Sequence, residues 1–511
     1  MKRLLALLLC LSMALCGCAK GSGEYVPTGD GLSYDEGYTG PQNKPQTEEK
    51  PQELSLPYYA ERSLNPYLCE DFTNRALLTL LYQSLFTTNR DYVVEPQLCK
   101  SFSVAKDLKS YTFYLEAATF SDGSPLTAND VVASLLAARE SNFYKGRFLH
   151  ITEITATSDS GISITLDTPF ENLPLLLDIP IVKAEQVALD RPMGTGPYTL
   201  YTAEGGESLR KRDNWWCSPE MVITAETINL FASKSTTHIR DQFEFDDLSL
   251  VCADPGSDRY ADYRCDYELW DCENGIFLYL TTSRNSEVFS NDAVRIALTH
   301  AIDRDTLVED FYRGFARSAS LPASPLFPYY SQNLADRYKF DDLKFLEAVK
   351  GAGVEGATVV FLVNSADSLR LRVAREISKM LTNCGLVVEL KALKGNDYTN
   401  ALKRREFDLY LGQTRLSPNM DLSAFFATYG ELSWGGVNDL GAYALSLQAL
   451  ENHGNYFTLH KLVMDQGLIC PILFRSYSIY ADRGLLSDLK PTRDSVFYYS
   501  MGKTLESAKI S

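Results

Sequence analysis

The alternation of apolar and polar positions is most regular over residues 111–140. Apolar side chains occupy every second position of residues 111–115, which predicts a strand with one buried face. Asp-Gly-Ser-Pro at residues 122–125 is typical of a tight turn. Because Thr127 precedes Asp130 by three positions, we expect a capping box to begin a helix there. The predicted apolar positions of that helix are Val131, Val132, Leu135 and Leu136.

Other segments predict the elements of a large α/β protein. The apolar run at residues 76–86 indicates a helix, and alternation over residues 151–166 predicts a hairpin. Residues 276–282 and 469–480 are apolar strands, and between them amphipathic helices alternate with strands. That alternation favours a βαβαβ unit with a parallel sheet. Its helices are expected at residues 341–350, 368–384 and 396–405, and its strands at residues 357–363, 386–391 and 407–412.

The first 18 residues have the layout of a bacterial lipoprotein signal. Lys2 and Arg3 begin it, an apolar run follows, and Leu-Cys-Gly-Cys at residues 15–18 matches a lipobox. The apolar run is too short for a stable membrane span. We therefore expect residues 1–17 to be a signal peptide and Cys18 to carry the lipid that holds the protein on the outer face of the cytoplasmic membrane. The alternative is an uncleaved anchor.

Residues 18–54 have the composition of a linker. They are rich in Gly, Pro, Gln, Glu, Thr and Ser and contain few aliphatic residues. Such a segment cannot bury enough apolar surface to fold. We expect a disordered tether that holds the globular part on the order of 30 Å from the lipid.

Composition and charge exclude some classes of protein. The chain has 511 residues, of which 45% are hydrophobic, so it can form a large core or two lobes. It carries 49 basic and 66 acidic side chains, and its formal net charge is −17. No basic patch favours a nucleic-acid partner, and the acidic surface is explained by solubility.

The cysteines and histidines predict neither a metal site nor a cofactor. The five histidines form no HExxH pair, and the spacing of the eleven cysteines matches no zinc site. Cys252, Cys265 and Cys272 are close enough in sequence for a disulfide. Buried free thiols are the alternative.

Two segments imitate nucleotide-binding motifs without the required context. Residues 351–356 fit G-x-G-x-x-G, but they follow a predicted helix and precede a strand, which is the reverse of the dinucleotide fingerprint. Residues 502–504 end like a P-loop, but Phe497 replaces its first glycine. No nucleophile elbow and no Cys-His signature is present, so the sequence indicates a protein without catalysis of its own.

Three segments resemble one known family. YTFYLEAATFSDGSPLTANDVVAS at residues 111–134, MGTGPYTL at residues 193–200 and DAVRIALTHAIDRDTL at residues 292–307 are similar to segments of the family 5 extracellular solute-binding proteins. These proteins are the peptide, nickel and oligosaccharide receptors of ABC importers. The resemblance covers about residues 56–500.

The resemblance implies an α/β, two-lobed, periplasmic-binding-protein-like fold of type II. The first lobe would span residues 55–275 and include an extra subdomain at about residues 69–190. The second lobe would span residues 276–474, with crossing strands between the lobes. Residues 475–511 would return to the first lobe.

The resemblance also implies a substrate-binding lipoprotein that captures a small peptide or similar solute in an interlobe cleft. Closure of the lobes would present the loaded receptor, expected to be a monomer, to an ABC permease and ATPase. One alternative is a nickel-chelate or oligosaccharide receptor. Another is a sensory or chaperone-like lipoprotein that keeps the fold and serves no importer.

One segment of the implied binding site departs from the family pattern. Peptide-binding relatives carry an acidic residue before an Asp/Glu-Pro pair after the strand at residues 407–412. Here Leu422 follows Asp421, and no acid precedes that aspartate. Arg415 is the leading candidate for a ligand contact, because a guanidinium can grip a carboxylate through two hydrogen bonds. Its alternatives are an internal salt bridge to Asp421 and a surface charge.

Both lobes supply further candidate ligand contacts. In the second lobe these are Asp421 itself, Tyr410 and Trp434, whose indole would stack on a ligand or, alternatively, pack in the core. In the first lobe they are Tyr67, Glu70 and Asn74.

Overall fold

The computed structural model describes residues 24–25, 54–257, 260, 262–434, 437–486, 488–503 and 509–510. The predicted signal peptide, the lipidation site at Cys18 and most of the predicted linker lie outside these residues. Over the described part of the chain, every helix is too short or too polar to span a bilayer.

Strands and helices are mixed along the whole chain. The strands are β1 (Glu24–Tyr25), β2 (Leu54–Tyr58), β3 (Phe86–Thr88), β4 (Val94–Pro96), β5 (Cys99–Val104), β6 (Ser110–Leu115), β7 (Ile151–Ala156), β8 (Gly161–Leu166), β9 (Tyr198–Ala203), β10 (Gly206–Lys211), β11 (Thr227–Ala232), β12 (Leu250–Ala253), β13 (Glu268–Thr282), β14 (Ala316–Ser318), β15 (Thr358–Asn364), β16 (Val387–Leu393), β17 (Leu409–Arg415), β18 (Cys470–Ala481) and β19 (Lys509–Ile510). The α-helices are α1 (Phe72–Arg75), α2 (Leu78–Leu81), α3 (Ala128–Glu140), α4 (Thr236–Glu244), α5 (Asp292–Ala297), α6 (Arg304–Tyr312), α7 (Gln332–Ala335), α8 (Asp342–Gly351), α9 (Ser368–Asn383), α10 (Gly395–Arg404), α11 (Ser423–Phe426), α12 (Leu440–Glu451) and α13 (Tyr456–Asp465).

The protein has two lobes with separate cores. The core of the first lobe is built mainly from residues 54–230, with residues 477–497 returning to it. Two sheets support this lobe, in the orders β2-β11-β10-β9 and β19-β5-β6-β8-β7. The cores of the second lobe come from residues 277–474. The fold is therefore the two-lobed α/β arrangement that the sequence implies.

The strand, turn and helix at residues 111–140 form as predicted. The buried face of β6 includes Tyr111 and Phe113, at 1% and 0% exposure. At the start of α3, the N–H of Thr127 donates to the Asp130 carboxylate at 2.9 Å, which confirms the capping interaction. The predicted apolar face is wrong at Leu136, which is 43% exposed. The buried face of α3 is formed by Val131 and Leu135 together with the smaller Ala128, Ser134 and Ala138.

The helix predicted at residues 76–86 forms only in part, as α2 at Leu78–Leu81, and the chain reaches β3 at Phe86. The following segment is held by the Gly-Thr-Gly turn at residues 194–196. The N–H of Gly196 donates to the carbonyl of Leu81 at 3.0 Å, and a Cβ at Gly194 would collide with that carbonyl. This tertiary contact replaces the continuation of the helix.

The second lobe confirms the βαβαβ unit. Strand β15 pairs in parallel with β16 and with β17. The large sheet has the order β12-β18-β13-β17-β15-β16. Phe277 and Tyr279 enter the core on one face of this sheet, and Leu278 and Leu280 enter the core on the other. A strand buried on both faces explains the continuous apolar run.

Strands β13 and β18 run from one lobe into the other. Trp270 of β13 packs in the core of the first lobe, and Leu278 packs in a core of the second. The pairing of the two strands is irregular between Glu273 and Phe277. Gly275 in this bulge has φ +74°, a conformation that favours glycine. The bulge therefore lies between the lobes.

The remaining motifs take structural roles. Residues 351–356 end α8 and turn the chain into β15, with Gly353 and Gly356 at positive φ. The eight described cysteines are all free. The disulfide considered among Cys252, Cys265 and Cys272 is therefore absent, and the three are free thiols. Among the described residues, no cluster of potential metal ligands is found.

Candidate functional site

Two cavities of similar size lie where the lobes meet. One, which we call the Glu273 cavity, has a volume of about 680 Å³. Its wall includes Thr88, Arg90, Tyr92, Glu273, Arg317 and Arg493. The other, the Arg415 cavity, also has a volume of about 680 Å³. Its wall includes Phe143, Arg147, His150, Arg415, Asp421 and Arg493. Both volumes suit a small-molecule ligand.

The carboxylate of Asp494, which is 14% exposed, pairs with arginines of both lobes. Arg147 of the first lobe lies 3.0 Å from one Asp494 oxygen, and Arg415 of the second lobe forms an ion pair with the other. Arg147 also forms an ion pair with Asp178. Burial opposes ionisation of Asp494, but the surrounding guanidinium groups prevail and hold its pKa well below the usual range. The carboxylate is therefore charged and shared between the lobes.

Arg415 lies in the interlobe region as predicted, but its partner differs from the one that the sequence suggests. Its Nε donates to the carbonyl of Asn274 at 3.0 Å, and its guanidinium lies 3.7 Å above the ring of Phe143. Burial lowers the pKa of Arg415 to about 10. The alternative of an internal salt bridge occurs, but with Asp494 instead of Asp421. This correction reflects the return of the chain to the cleft after β18.

Arg493 is a second largely buried cation beside Asp494, and it was not predicted from the sequence. Its side chain is 12% exposed, and its Nε lies 3.7 Å from the Asp494 carboxylate. One of its N–H groups donates to the carbonyl of Leu416, while Nε and Nη1 have no hydrogen-bond partner. Its guanidinium packs directly over Gly275, where any Cβ would collide with it. Glycine at position 275 therefore makes room for Arg493 as well as for the bulge.

Glu273, on the same bulge, is 3% exposed. The hydroxyl of Ser324 donates to its Oε2 at 2.6 Å, while Oε1 is buried without a partner. Burial raises the pKa of Glu273 to about 7, against the attraction of Arg493 and Arg317. This carboxyl group therefore titrates close to neutral pH.

Unused hydrogen-bonding atoms are concentrated in the wall of the Glu273 cavity. Most buried polar atoms in folded proteins have a partner in the protein or in ordered water. The buried wall atoms without a partner are Oγ1 of Thr88, Nη2 of Arg90, Oε1 of Glu273, Nε of Arg317, and Nε and Nη1 of Arg493. In the described wall of the Arg415 cavity, Arg493 alone has such atoms.

Asp421 lies in the wall of the Arg415 cavity, and its carboxylate is hydrogen-bonded within the protein. Its carboxylate accepts from the N–H of Ser423 at 2.8 Å and from the hydroxyl of Ser423 at 3.0 Å. His150 approaches from the first lobe, with Nε2 3.1 Å from the Ser423 hydroxyl and 3.4 Å from Asp421. Its Nδ1 lies 3.0 Å from Asp167.

His150 therefore forms a contact between the lobes that depends on its charge. Burial disfavours the imidazolium form, but the carboxylates of Asp421 and Asp167 outweigh it and raise the pKa of His150 above its ordinary value.

The other predicted residues of the second lobe lie away from both cavities. Tyr410 is 1% exposed and packs in the core, with its hydroxyl 3.5 Å from that of Tyr279. Trp434 is half-buried and packs against the same core, which corresponds to the alternative of a core residue.

The predicted residues of the first lobe also lie outside the two cavities. The hydroxyl of Tyr67 donates to the carbonyl of Pro180 at 2.6 Å. Asn74 is fully buried, and its Oδ1 accepts from the N–H of Tyr59 at 2.7 Å. Glu70 is exposed. Tyr67 and Asn74 therefore hold the chain of the first lobe together.

The fold and the interlobe cavities define a two-lobed binding protein, and comparison with known proteins identifies its class. The family model of the bacterial extracellular solute-binding proteins, family 5 Middle, matches residues 93–436. The chain belongs to this family. It is a solute-binding receptor, and the family is named for binding and not for catalysis.

Individual relatives are distant in sequence and similar in fold. The glutathione-binding protein GsiB of Escherichia coli K12 is 24% identical over 404 residues, which cover 73% of this chain and 74% of GsiB. The substrate-binding protein CtaP of Listeria monocytogenes, from an ABC transporter, has a TM-score of 0.70 at 18% identity, covering 88% of this chain and 98% of CtaP. NikA of Brucella suis, in complex with Fe(III)-EDTA, has a TM-score of 0.67 at 19% identity, covering 86% and 98%.

Proposed function

We propose that the protein is the substrate-binding lipoprotein of an ABC importer, which captures a small peptide or a similar solute between its lobes. The observation that carries this proposal is the pair of interlobe cavities, whose walls combine buried charges from both lobes. A solute that contacts both walls binds the closed state more tightly than the open one. Lobe closure can then signal a loaded receptor to a permease and its ATPase.

The proposed ligand class is supported by the chemistry of the walls and by the relatives. Arginine and carboxylate side chains suit a small polar solute that carries charge. GsiB is named a glutathione-binding protein, and the structure of AppA from Clostridium difficile is described as a putative peptide-binding protein. A charged peptide fits the same kind of wall.

Membrane attachment completes the proposal. The lipobox at residues 15–18 supports cleavage before Cys18 and lipidation of its thiol. A monomer anchored in this way would remain on the outer face of the cytoplasmic membrane, within reach of its permease. Palmitate labelling of the full chain in bacterial cells, compared with Cys18→Ser, tests the attachment. Equal labelling of the two chains would contradict it.

The solute itself provides the test of the receptor function. The protein is purified without denaturation, its small molecules are released and identified by mass spectrometry, and each is titrated back by calorimetry. We expect one solute to bind stoichiometrically and to reduce the radius of gyration measured by small-angle scattering. A protein that retains no solute and that neither binds nor closes on added peptides would contradict the proposal.

A further inference from the structure

Four side chains in the wall of the Arg415 cavity form a hydrogen-bonded network that joins the lobes. In the first lobe, His150 directly precedes β7 and Asp167 directly follows β8, and Nδ1 of the histidine lies 3.0 Å from the Asp167 carboxylate. In the second lobe, the hydroxyl of Ser423 lies 3.1 Å from Nε2 of His150 and donates to Asp421 at 3.0 Å. We call these four residues the His150 network.

The three hydrogen bonds of this network require three protons. Ionised carboxylates accept only, and the hydroxyl of Ser423 supplies one proton, which it donates to Asp421. The other two bonds, from Nδ1 of His150 to Asp167 and from Nε2 to Ser423, then both need a ring N–H. Imidazolium has two such groups and neutral imidazole has one. A neutral His150 therefore leaves one bond of the network unmade.

Charged and titratable groups of both lobes surround His150. Those on the elements packed around it are Arg139, Arg147, Asp167, Glu171, Asp421 and Tyr456. Arg139 donates to a backbone carbonyl, and Arg147 is already paired with two carboxylates. Burial disfavours the charged ring, but the carboxylates of Asp421 and Asp167 prevail and raise the pKa of His150 above its ordinary value. The proton is thus held more tightly here than on an exposed histidine.

A second contact between the lobes lies beside the network and does not depend on this proton. The N–H of His453 donates to the carboxylate of Glu171 at 3.0 Å, and the N–H of Glu171 donates to the carbonyl of Leu450 at 2.8 Å. Burial lowers the pKa of His453 against the attraction of Glu171, so its ring protonates at a more acidic pH than the ring of His150. His150 is therefore the histidine of this contact region that gains its proton first as the pH falls.

We propose that the His150 network is a proton-operated latch, which holds the two lobes together when His150 is an imidazolium ion and weakens their contact when it is neutral. The two ring nitrogens face acceptors of opposite lobes, so the proton decides whether both can be bound at once. The latch goes beyond the proposed receptor function, in which the solute drives closure. It makes the pH around the protein a second determinant of closure.

The direction of the effect follows from the geometry of closing. Closure brings Asp421 of the second lobe to His150, so the closed state binds the proton more tightly than the open state does. Closure is therefore favoured at acidic pH, and this contribution is lost as the pH rises through the pKa of the closed state. A proton and a solute then act on closure in the same direction.

The first measurement follows the proton on His150. Histidine labelled with ¹³C in the ring gives an NMR titration of the full mature chain, in which the His150 signal is the one absent from His150→Asn. Asp421→Asn removes a carboxylate of the opposite lobe, so it lowers the pKa of His150 only if the lobes meet in solution. Asp167→Asn removes a carboxylate of the same lobe and should lower that pKa in either state.

The second measurement follows closure without any solute. Small-angle scattering of the same chain, freed of copurified molecules by dialysis, gives the radius of gyration about one pH unit below and about one above the midpoint of His150. We expect a smaller radius on the acidic side, because the ratio of closed to open molecules rises about two- to fivefold. His150→Asn should remove this difference. His238→Asn, on α4 and outside the cavity wall, is the matched control and should keep it.

Several results would overturn the latch. A radius that is the same on both sides of the midpoint would do so, as would a difference that persists in His150→Asn. A His150 ring that does not titrate between about pH 5 and 9, or whose titration Asp421→Asn leaves unchanged, would also overturn it. The receptor function is judged separately, by the binding of copurified solute or added peptides. A protein that closes at acidic pH but binds none of these would keep the latch and contradict the receptor function.

Discussion

The two interlobe cavities have the same volume but differ in how their polar atoms are used. In the Arg415 cavity, Arg415, Asp421 and His150 all have partners within the protein. In the Glu273 cavity, Thr88, Arg90, Glu273 and Arg317 keep buried atoms without partners, as does Arg493, which lines both cavities. The polar groups named in the first cavity are thus paired within the protein, and those in the second are paired less completely. Cavity size alone would not distinguish them.

The two cavities differ because their charged residues come from different parts of the chain. Asp494 satisfies Arg147 and Arg415 at once, so the charges of the Arg415 cavity are compensated across the lobe boundary. Glu273 and Arg493 lie beside the bulge of β13, where the pairing of the crossing strands is interrupted. The interrupted strand therefore leaves buried polar atoms of both residues without a partner in the protein.

The largest effect is expected from Asp494→Asn. The substitution leaves Arg147, Arg415 and Arg493 buried around a neutral amide, and removal of one partner of a buried ion pair costs about 3–5 kcal/mol. The free energy of unfolding, measured with urea, should fall by that amount. Asp488→Asn, at a carboxylate that is 76% exposed, is the matched control and should change it little. Similar stability of both variants would contradict the central role of Asp494.

A smaller loss is expected from Gly275→Ala. The added methyl group collides with the guanidinium of Arg493, and the positive φ disfavours alanine, so we expect about 1–3 kcal/mol of destabilisation. The same variant should weaken solute binding, because Arg493 is displaced. Gly205→Ala has open space around its Cβ and should affect neither quantity. Unchanged affinity in Gly275→Ala would show that Arg493 does not contact the solute.

Asp130→Ala tests the scaffold apart from the cavities. The Asp130 carboxylate accepts from the N–H of Thr127 and, at 2.8 Å, from the N–H of Ala184. Loss of the cap should lower the free energy of unfolding by about 1 kcal/mol. Solute affinity, measured by calorimetry under conditions where the variant is folded, should remain that of the wild type. A loss of affinity would mean that this part of the first lobe also shapes the site.

The smallest expected effect concerns the pH dependence that His150 produces. Its pKa in the folded protein is raised, so its contribution to stability is complete below its unfolded pKa and is lost as the pH rises through the folded value. The difference in stability between the wild type and His150→Asn should thus be larger at about pH 6 than at about pH 8, by less than about 1 kcal/mol. Urea unfolding at both pH values measures it, and a difference that grows with pH would contradict the assignment.

Local patterns predicted the scaffold better than the site. The strand and capped helix at residues 111–140 and the βαβαβ unit depend on neighbours in sequence, and both are confirmed. Arg415, predicted as a ligand contact, lies between the lobes, and its partner is 79 positions away at Asp494. Only the return of the chain after β18 brings the two together.

Glu273 and Arg493 were not predicted because each resembles an ordinary polar residue of a turn. One local signal was present, since Asn-Gly at residues 274–275 directly precedes an apolar strand and is typical of a bulge or turn. The long strand β13 begins eight positions before the predicted one, so the bulge lies inside the strand. Glu273 and Arg493 are 220 positions apart in sequence, so only the tertiary structure brings them close enough to influence each other.

The most direct test of the account is a crystal structure of the full mature protein with its copurified solute bound. The account predicts that the solute lies in the Glu273 cavity, in contact with the charged residues of its wall. It also predicts that the pairs of Asp494 with Arg147 and Arg415 remain intact. A solute in the Arg415 cavity, or one that replaces Asp494 between those arginines, would contradict it.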